Sequence, residues 1–141
     1  MRSEPRLLEL SSDHHEVLVV IEQIRLRLAS GDSGEEVGRF VGQKYDLYLS
    51  PHFEVEEEYL LPELTSKTMS ELVRRTLAEH ELLRGLVKDA RLGQWDALRA
   101  LADVLEAHMR FEEREVYPAI EAKASNEALE HVARLEAVPD V

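Results

Sequence analysis

Apolar residues return along the start of the chain at alternating intervals of three and four: Leu7, Leu10, Val17, Ile21, Ile24 and Leu28, with His14 standing in the same row. That spacing marks one face of an α-helix and predicts a helix from near Ser3 or Pro5 to about Ala29. Ser30-Gly31-Asp32-Ser33-Gly34 has the composition of a loop. A second stripe, Val41, Tyr45, Tyr48, His52, Val55 or Glu56, and Tyr59, predicts a helix from about Glu35 to Leu61. Pro51 falls inside it and is expected to kink the helix without breaking it, because the periodicity continues past it. Pro62 ends it. Thr68 with Glu71 has the form of a capping box that opens a third helix, running to about Leu92 and closed by Gly93. Val73, Leu77, His80, Leu83 and Val87 form its inward face. The fourth helix runs from about Gln94 to Pro118 or slightly beyond, with Trp95, Leu98, Leu101, Leu105, His108 and Glu112 inward. A short fifth helix, about 126–136, offers Leu129, Val132 and Leu135, after which Pro139 and the last residues fray.

Four long amphipathic helices on short connections predict an all-α fold: an up-down-up-down antiparallel four-helix bundle over about 5–122, with the short fifth helix covering part of it. At 141 residues the chain fits a single domain, 1–141, with one sizeable core. The exceptions in the stripes carry the chemistry. His52-Phe53-Glu54-Val55-Glu56-Glu57-Glu58-Tyr59-Leu60-Leu61-Pro62 has a second copy, His108-Met109-Arg110-Phe111-Glu112-Glu113-Arg114-Glu115-Val116-Tyr117-Pro118. Both read His, Glu four later, a second Glu five later, an aliphatic eight later and Pro ten later. Four residues is just over one helical turn, so His52 with Glu56, and His108 with Glu112, share a face.

His14 lies roughly ten residues after the start of helix 1 and His80 about twelve after the start of helix 3, while His52 and His108 each stand ten residues before a proline. In an antiparallel bundle all four reach one level, roughly 15–18 Å from one end at 1.5 Å per residue. Four inward histidines with Glu56 and Glu112 a turn away describe a metal site, since burying that many polar groups without a cation would be costly. His15 is the alternative to His14 on helix 1. His131 is expected on the surface, and Glu54, Glu57, Glu58, Glu113 and Glu115 on a solvated acidic face. Tyr45, Tyr48 and Tyr59 read as packing residues, although Tyr48 stands one turn from His52 and is a candidate neighbour of the site. Two carboxylates facing each other across a core can bridge two ions, leaving two histidines to each. Imidazole and carboxylate without thiolate suit iron, manganese or zinc.

Composition narrows the partners. Asp and Glu total 29 against 17 Lys and Arg, a formal charge of −12, which should repel nucleic acid and anionic membranes. No apolar run approaches a membrane span and no signal-peptide pattern opens the chain, so cytoplasm is the expected location. The absence of cysteine removes disulfides, thiolate ligands and thiol chemistry.

With Asp13-His14-His15, the two eleven-residue copies and Glu79-His80, the chain resembles the hemerythrin-like, or HHE cation-binding, domains over helices 1 to 4, residues 7 to 120. The resemblance implies a non-haem di-iron centre with two bridging carboxylates and terminal histidines. It assigns His14 and His52 to one iron, His80 and His108 to the other, and Glu56 and Glu112 to both, with an oxo or hydroxo bridge when ferric. Oxygen-carrying hemerythrins have a second histidine four after the first on helix 3 and an Asp as the last ligand; here those places hold Arg84 and Glu112. The ligand set is similar to the bacterial branch that includes iron–sulfur repair and peroxide-decomposing members, although the cysteine-bearing segment of the repair proteins is not present in this sequence.

Three functions follow as alternatives. One is an enzyme or detoxifier acting on hydrogen peroxide or nitric oxide at the di-iron centre. A second binds, senses or stores dioxygen, nitric oxide or iron without turnover. A third is an interaction bundle with a structural metal, or a phosphotransfer domain, which would need an exposed histidine. Arg84 leaves the His80/His108 iron without a third nitrogen, so both irons are expected to keep room for an exogenous ligand.

Overall fold

In the computed structural model, described over residues 5–137, every regular element is helical. A short 3₁₀ turn (Pro5–Leu7) leads into α1 (Leu8–Ala29). Helix α2 is a continuous helical run over residues 34–60 that tightens into a 3₁₀ turn at Leu61–Glu63. After a second 3₁₀ turn (Lys67–Met69) come α3 (Ser70–Arg91), α4 (residues 95–123) and α5 (Asn126–Ala137). Ser3 and Pro139 lie outside the described residues. The boundaries fall close to those expected, except that α4 runs on through Pro118 to Lys123.

The loops are set by local chemistry. Ser33 caps α2, its Oγ accepting the Glu36 backbone N–H at 3.1 Å. The expected Thr68–Glu71 capping box does not form. Residues 67–69 make a 3₁₀ turn instead, Thr68 Oγ1 pairs with Ser66 Oγ, and Glu71 pairs with Arg74. Gly93 closes α3 at φ +82°, a conformation that costs glycine nothing. Gly38 serves a different need: a Cβ there would stand 2.5 Å from the Ala90 carbonyl oxygen, so α2 and the end of α3 approach too closely for any side chain.

Prolines shape the other half of the molecule. Before each of Pro51, Pro62 and Pro118 the helix widens into a π turn, at Tyr45–Leu49, Glu56–Leu60 and Glu112–Val116. In each case the residue preceding proline donates its N–H five residues back: Ser50 to Tyr45, Leu61 to Glu56, Tyr117 to Glu112. A proline ring collides with the carbonyl four residues earlier and offers no N–H, and one extra residue in the turn relieves both problems. The helix therefore crosses Pro51 and Pro118 without ending.

The wider turns also rotate the faces beyond them. On α2 Val37, Val41, Leu49, His52, Phe53, Glu56 and Leu60 are buried, while Tyr45, Tyr48 and Tyr59 are only half-buried. On α3 Thr76 is buried where Leu77 was expected, and Leu77 is exposed; Trp95 and Leu135 are likewise exposed. Thr76 satisfies its hydroxyl on the Leu72 carbonyl at 2.8 Å, which lets a polar residue take a core position.

The core is two apolar clusters. One gathers Val17, Ile21 and Ile24 of α1, Val41, Leu49 and Phe53 of α2, Leu83 and Val87 of α3, and Leu98 to Met109 of α4. The other gathers Leu7 and Leu10, Leu60 and Leu61, Val116 to Ile120, and Leu129 and Val132 of α5. Each fully buried aliphatic side chain contributes about 1.5–3 kcal/mol. Where each long helix passes from one cluster to the other stand the buried polar residues His14, His52, Glu56, His80, His108 and Glu112. Among the described residues no helix is long and apolar enough to cross a membrane.

Candidate metal centre

Each long helix delivers its histidine from the position the hydrophobic stripe assigned, and all four imidazoles are at most 3% exposed. Glu56 and Glu112 are fully buried, one turn beyond His52 and His108, and each opens a π turn. The Nε2 atoms converge. His14 Nε2 lies 3.2 Å from His52 Nε2 and 2.9 Å from Glu112 Oε1. His52 Nε2 lies 2.9 Å from Glu56 Oε2. On the other side His80 Nε2 stands 3.2 Å from Glu56 Oε1, and His108 Nε2 3.3 Å from Glu112 Oε2. The result is two four-residue clusters, His14/His52/Glu56/Glu112 and Glu56/His80/His108/Glu112, each with its donor atoms within 4.8 Å of one another. Both glutamates belong to both clusters, presenting one oxygen to each side.

The far nitrogen of every imidazole meets a carboxylate. His14 Nδ1 faces Glu113 at 3.1 Å, His52 Nδ1 faces Asp13 at 3.3 Å, His80 Nδ1 faces Glu57 at 2.6 Å and His108 Nδ1 faces Glu79 at 2.6 Å. A carboxylate at Nδ1 holds the proton there and leaves the Nε2 lone pair pointing inward, the arrangement that orients metal-binding histidines. These acids are the chain neighbours of the inward residues: Asp13 precedes His14, Glu79 precedes His80, Glu57 follows Glu56 and Glu113 follows Glu112. Each serves a histidine on a neighbouring helix. Glu57 thus leaves the solvated face expected of it, while Glu113 stays exposed even as it meets His14, and Glu54, Glu58 and Glu115 are exposed as well.

Arg84 does not point away into solvent. Its guanidinium grips Glu57 through both oxygens, at 2.9 and 3.2 Å, and so braces the carboxylate that braces His80. Phe53 stacks on the His80 ring with centroids 4.0 Å apart, fixing the plane of that imidazole. His15 is exposed and takes no part. Tyr48 packs beside the first apolar cluster with the Lys44 ammonium 5.7 Å from its ring, outside the two donor clusters. His131 is half-buried, its ring 4.7 Å from that of Tyr59.

Sequence reasoning missed Tyr117. Its hydroxyl donates to Glu56 Oε2 at 2.7 Å and lies 2.9 Å from His52 Nε2 and 3.0 Å from His14 Nε2. Five residues beyond Glu112, an α-helix would carry it about 140° round the axis. The π turn brings it back onto the inward face. The signal was Pro118 directly after it.

The electrostatics are those of a site awaiting positive charge. Burial alone pulls His80 and His108 down, but the Glu56 and Glu112 carboxylates reverse this and raise them to about 10 and about 9. His52 is raised well above its ordinary value, burial being outweighed by Glu56 and by the hydrogen bond to Asp13. Burial pushes Glu112 up, yet His108 and its other histidine partners hold it well below the ordinary carboxylate value. Four of the six buried side-chain N or O atoms that lack a hydrogen-bond partner among the described residues are Glu56 Oε1, His80 Nε2, His108 Nε2 and Glu112 Oε2. An unsatisfied buried polar atom costs about 1–3 kcal/mol, more when charged. Four aimed at one point fit a cation that all would ligate.

A cavity of about 380 Å³ between α1 and α4 is lined by His14, Leu18, Met109, Arg110, Glu113 and Arg114 and reaches the centre at His14. A larger surface cavity, about 760 Å³, lies between α3 and α4 and touches none of the six inward residues.

Comparison with curated proteins and with solved structures returned no match. The family model of the hemerythrin HHE cation-binding domain matches residues 7–120, spanning all four helices and every residue of both donor clusters. The chain belongs to the hemerythrin HHE cation-binding domain family.

Proposed function

We propose that this chain is a non-haem di-iron protein that binds or reacts with a small molecule, hydrogen peroxide, nitric oxide or dioxygen. The observation that carries this reading is the sharing of Glu56 and Glu112, one oxygen each, between two histidine pairs. His14 and His52 would hold one ion, His80 and His108 the other, and the glutamates would bridge them. Two carboxylates and four neutral imidazoles, with no thiolate, suit a first-row ion of this kind. Iron in such a site supplies one-electron redox steps and positions where a small ligand can exchange.

The chain's own groups do the rest. Asp13, Glu57, Glu79 and Glu113 keep the Nε2 lone pairs inward and raise the basicity of the rings. The apolar clusters flank the donors, and the α1–α4 cavity reaches them at His14. The cluster membership supports an antiparallel up-down-up-down four-helix bundle forming one domain. Helices α1 and α3 carry later residues into the first cluster, whereas α2 and α4 carry earlier ones.

Turnover is favoured over reversible oxygen carriage by Arg84, which is engaged with Glu57 and supplies no further nitrogen to the His80/His108 pair. Metal analysis and an optical spectrum test the centre: two irons per chain with oxo-bridged ferric absorption are expected. Added peroxide should be consumed, with gas evolved, and the diferrous protein should oxidise in air without a lasting oxygen adduct. One ion per fully loaded chain would overturn the di-iron centre. A stable reversible oxygen complex, with peroxide loss no faster than with free iron, would favour the carrier.

A further inference from the structure

The two halves of the centre differ in one atom. On the His80/His108 side four donors, Glu56 Oε1, His80 Nε2, His108 Nε2 and Glu112 Oε2, stand without hydrogen-bond partners among the described residues. On the His14/His52 side a fifth atom is present, the Tyr117 hydroxyl oxygen, on a residue with no exposed surface. It lies 3.0 Å from His14 Nε2, 2.9 Å from His52 Nε2 and 2.7 Å from Glu56 Oε2. First-row ions bind nitrogen and oxygen at about 2.0–2.2 Å, so neighbouring donors at right angles round one ion stand about 3 Å apart. On this side His14 Nε2 to Glu112 Oε1 and His52 Nε2 to Glu56 Oε2 have that same length, 2.9 Å, with His14 Nε2 to His52 Nε2 at 3.2 Å and His52 Nε2 to Glu112 Oε1 at 3.7 Å. The phenol oxygen therefore stands where a further donor to an ion held by these residues would stand. A hydroxyl that merely satisfied itself in the core would need one partner; this one lies 2.7–3.0 Å from three.

We infer that Tyr117 is a fifth protein ligand, as phenolate, to the cation held by His14, His52, Glu56 and Glu112, so that the exchangeable positions belong mainly to the His80/His108 half. The inference rests on the di-metal reading above and corrects the expectation of equal room at both ions. On binding, the phenol O–H bond breaks and the oxygen lone pair forms the bond to the metal; the proton leaves to solvent and no electrons are transferred. The placement depends on the π turn at Glu112–Val116, since without the extra residue the ring would leave the inward face. The first copy of the motif places Leu61 at the matching position, so the two halves are unequal by sequence as well as by structure.

The test uses the whole ferric-loaded protein. Phenolate bound to ferric iron gives a charge-transfer band in the visible, and resonance Raman excitation within it enhances tyrosine ring modes. Both are expected in the wild type, and ring-deuterated tyrosine should shift the Raman modes. Tyr117→Phe should abolish band and modes while iron stays at two per chain; Tyr48→Phe and Tyr59→Phe should leave them intact. A wild type with two irons but no tyrosine modes, or a Tyr117→Phe spectrum identical to wild type, overturns the inference and leaves the di-iron reading standing. Failure to load two ions in the wild type overturns both. The labelling experiment needs no variant, so a Tyr117→Phe chain that does not fold leaves the inference decided by the wild type.

Discussion

Glu57 Oε2 lies 2.6 Å from His80 Nδ1, and Arg84 holds the same oxygen at 2.9 Å. A residue that reads as one of several exposed acids is thus the middle link of an Arg–Glu–His chain ending at the centre. Burial raises the Glu57 carboxyl, but the Arg84 and His80 contacts outweigh it and keep it below the ordinary value, so it stays ionised beside the imidazole.

Glu57→Ala should weaken iron binding by about 10–100-fold, the usual cost of losing a carboxylate behind a metal-bound histidine. Glu54→Ala, on the exposed side of the same helix, should leave affinity unchanged. Competition with a chelator of known affinity measures both. Equal affinities for the two variants would remove Glu57 from the site.

His52→Ala and His108→Ala should each reduce loading below two irons per chain, because each removes a buried donor shared with a glutamate one turn on. His15→Ala should load fully, since that ring is exposed. Metal analysis of the purified variants decides it. An empty site in His15→Ala with a full one in His14→Ala would reverse the assignment of helix α1.

The metal-free protein should have an unusual pH profile. His80 at about 10 and His108 at about 9 are raised from 6.5, so their contribution to stability is fully present below 6.5 and drains away as pH rises to 9–10. Glu56 and Glu112 are lowered from 4.5, and their contribution is present above 4.5 and lost as pH falls below it. Thermal stability without metal should therefore peak between 4.5 and 6.5. The iron-loaded protein should be more stable near neutrality and lose its metal on acidification, as protons compete for the histidines. Thermal melts of both forms across pH check this; a metal-free Tm that does not fall between pH 7 and 10 is the contrary result.

Gly38→Ala should destabilise the fold by about 1–3 kcal/mol, the ordinary cost of overpacking. The new Cβ would meet the Ala90 carbonyl oxygen at 2.5 Å, and a backbone atom cannot step aside as a side chain does. Gly85→Ala is the control, because nothing lies within 4 Å of a Cβ there, and a helical alanine is favoured over glycine. Denaturant melts should separate the two; a Gly38→Ala chain as stable as Gly85→Ala contradicts the close approach.

Much of the molecule was legible without coordinates. A helical stripe needs only local periodicity, so the helices and the buried positions of His14, His52, His80 and His108 could be read from spacing. The repeated His-x-x-x-Glu likewise specified Glu56 and Glu112, because a four-residue separation fixes a shared face whatever the helix packs against. What lay beyond reach depended on neighbours in space or on departures from the helical period. Asp13, Glu57, Glu79 and Glu113 find their histidines on other helices, and nothing within one helix tells such an acid from a solvated one. Trp95 and Leu77 followed the period and still emerged exposed, because burial needs a partner surface as well as a face. Tyr117 was hidden by the π turn, which adds a residue to the turn and brings onto the centre a ring that the α-helical period sends elsewhere.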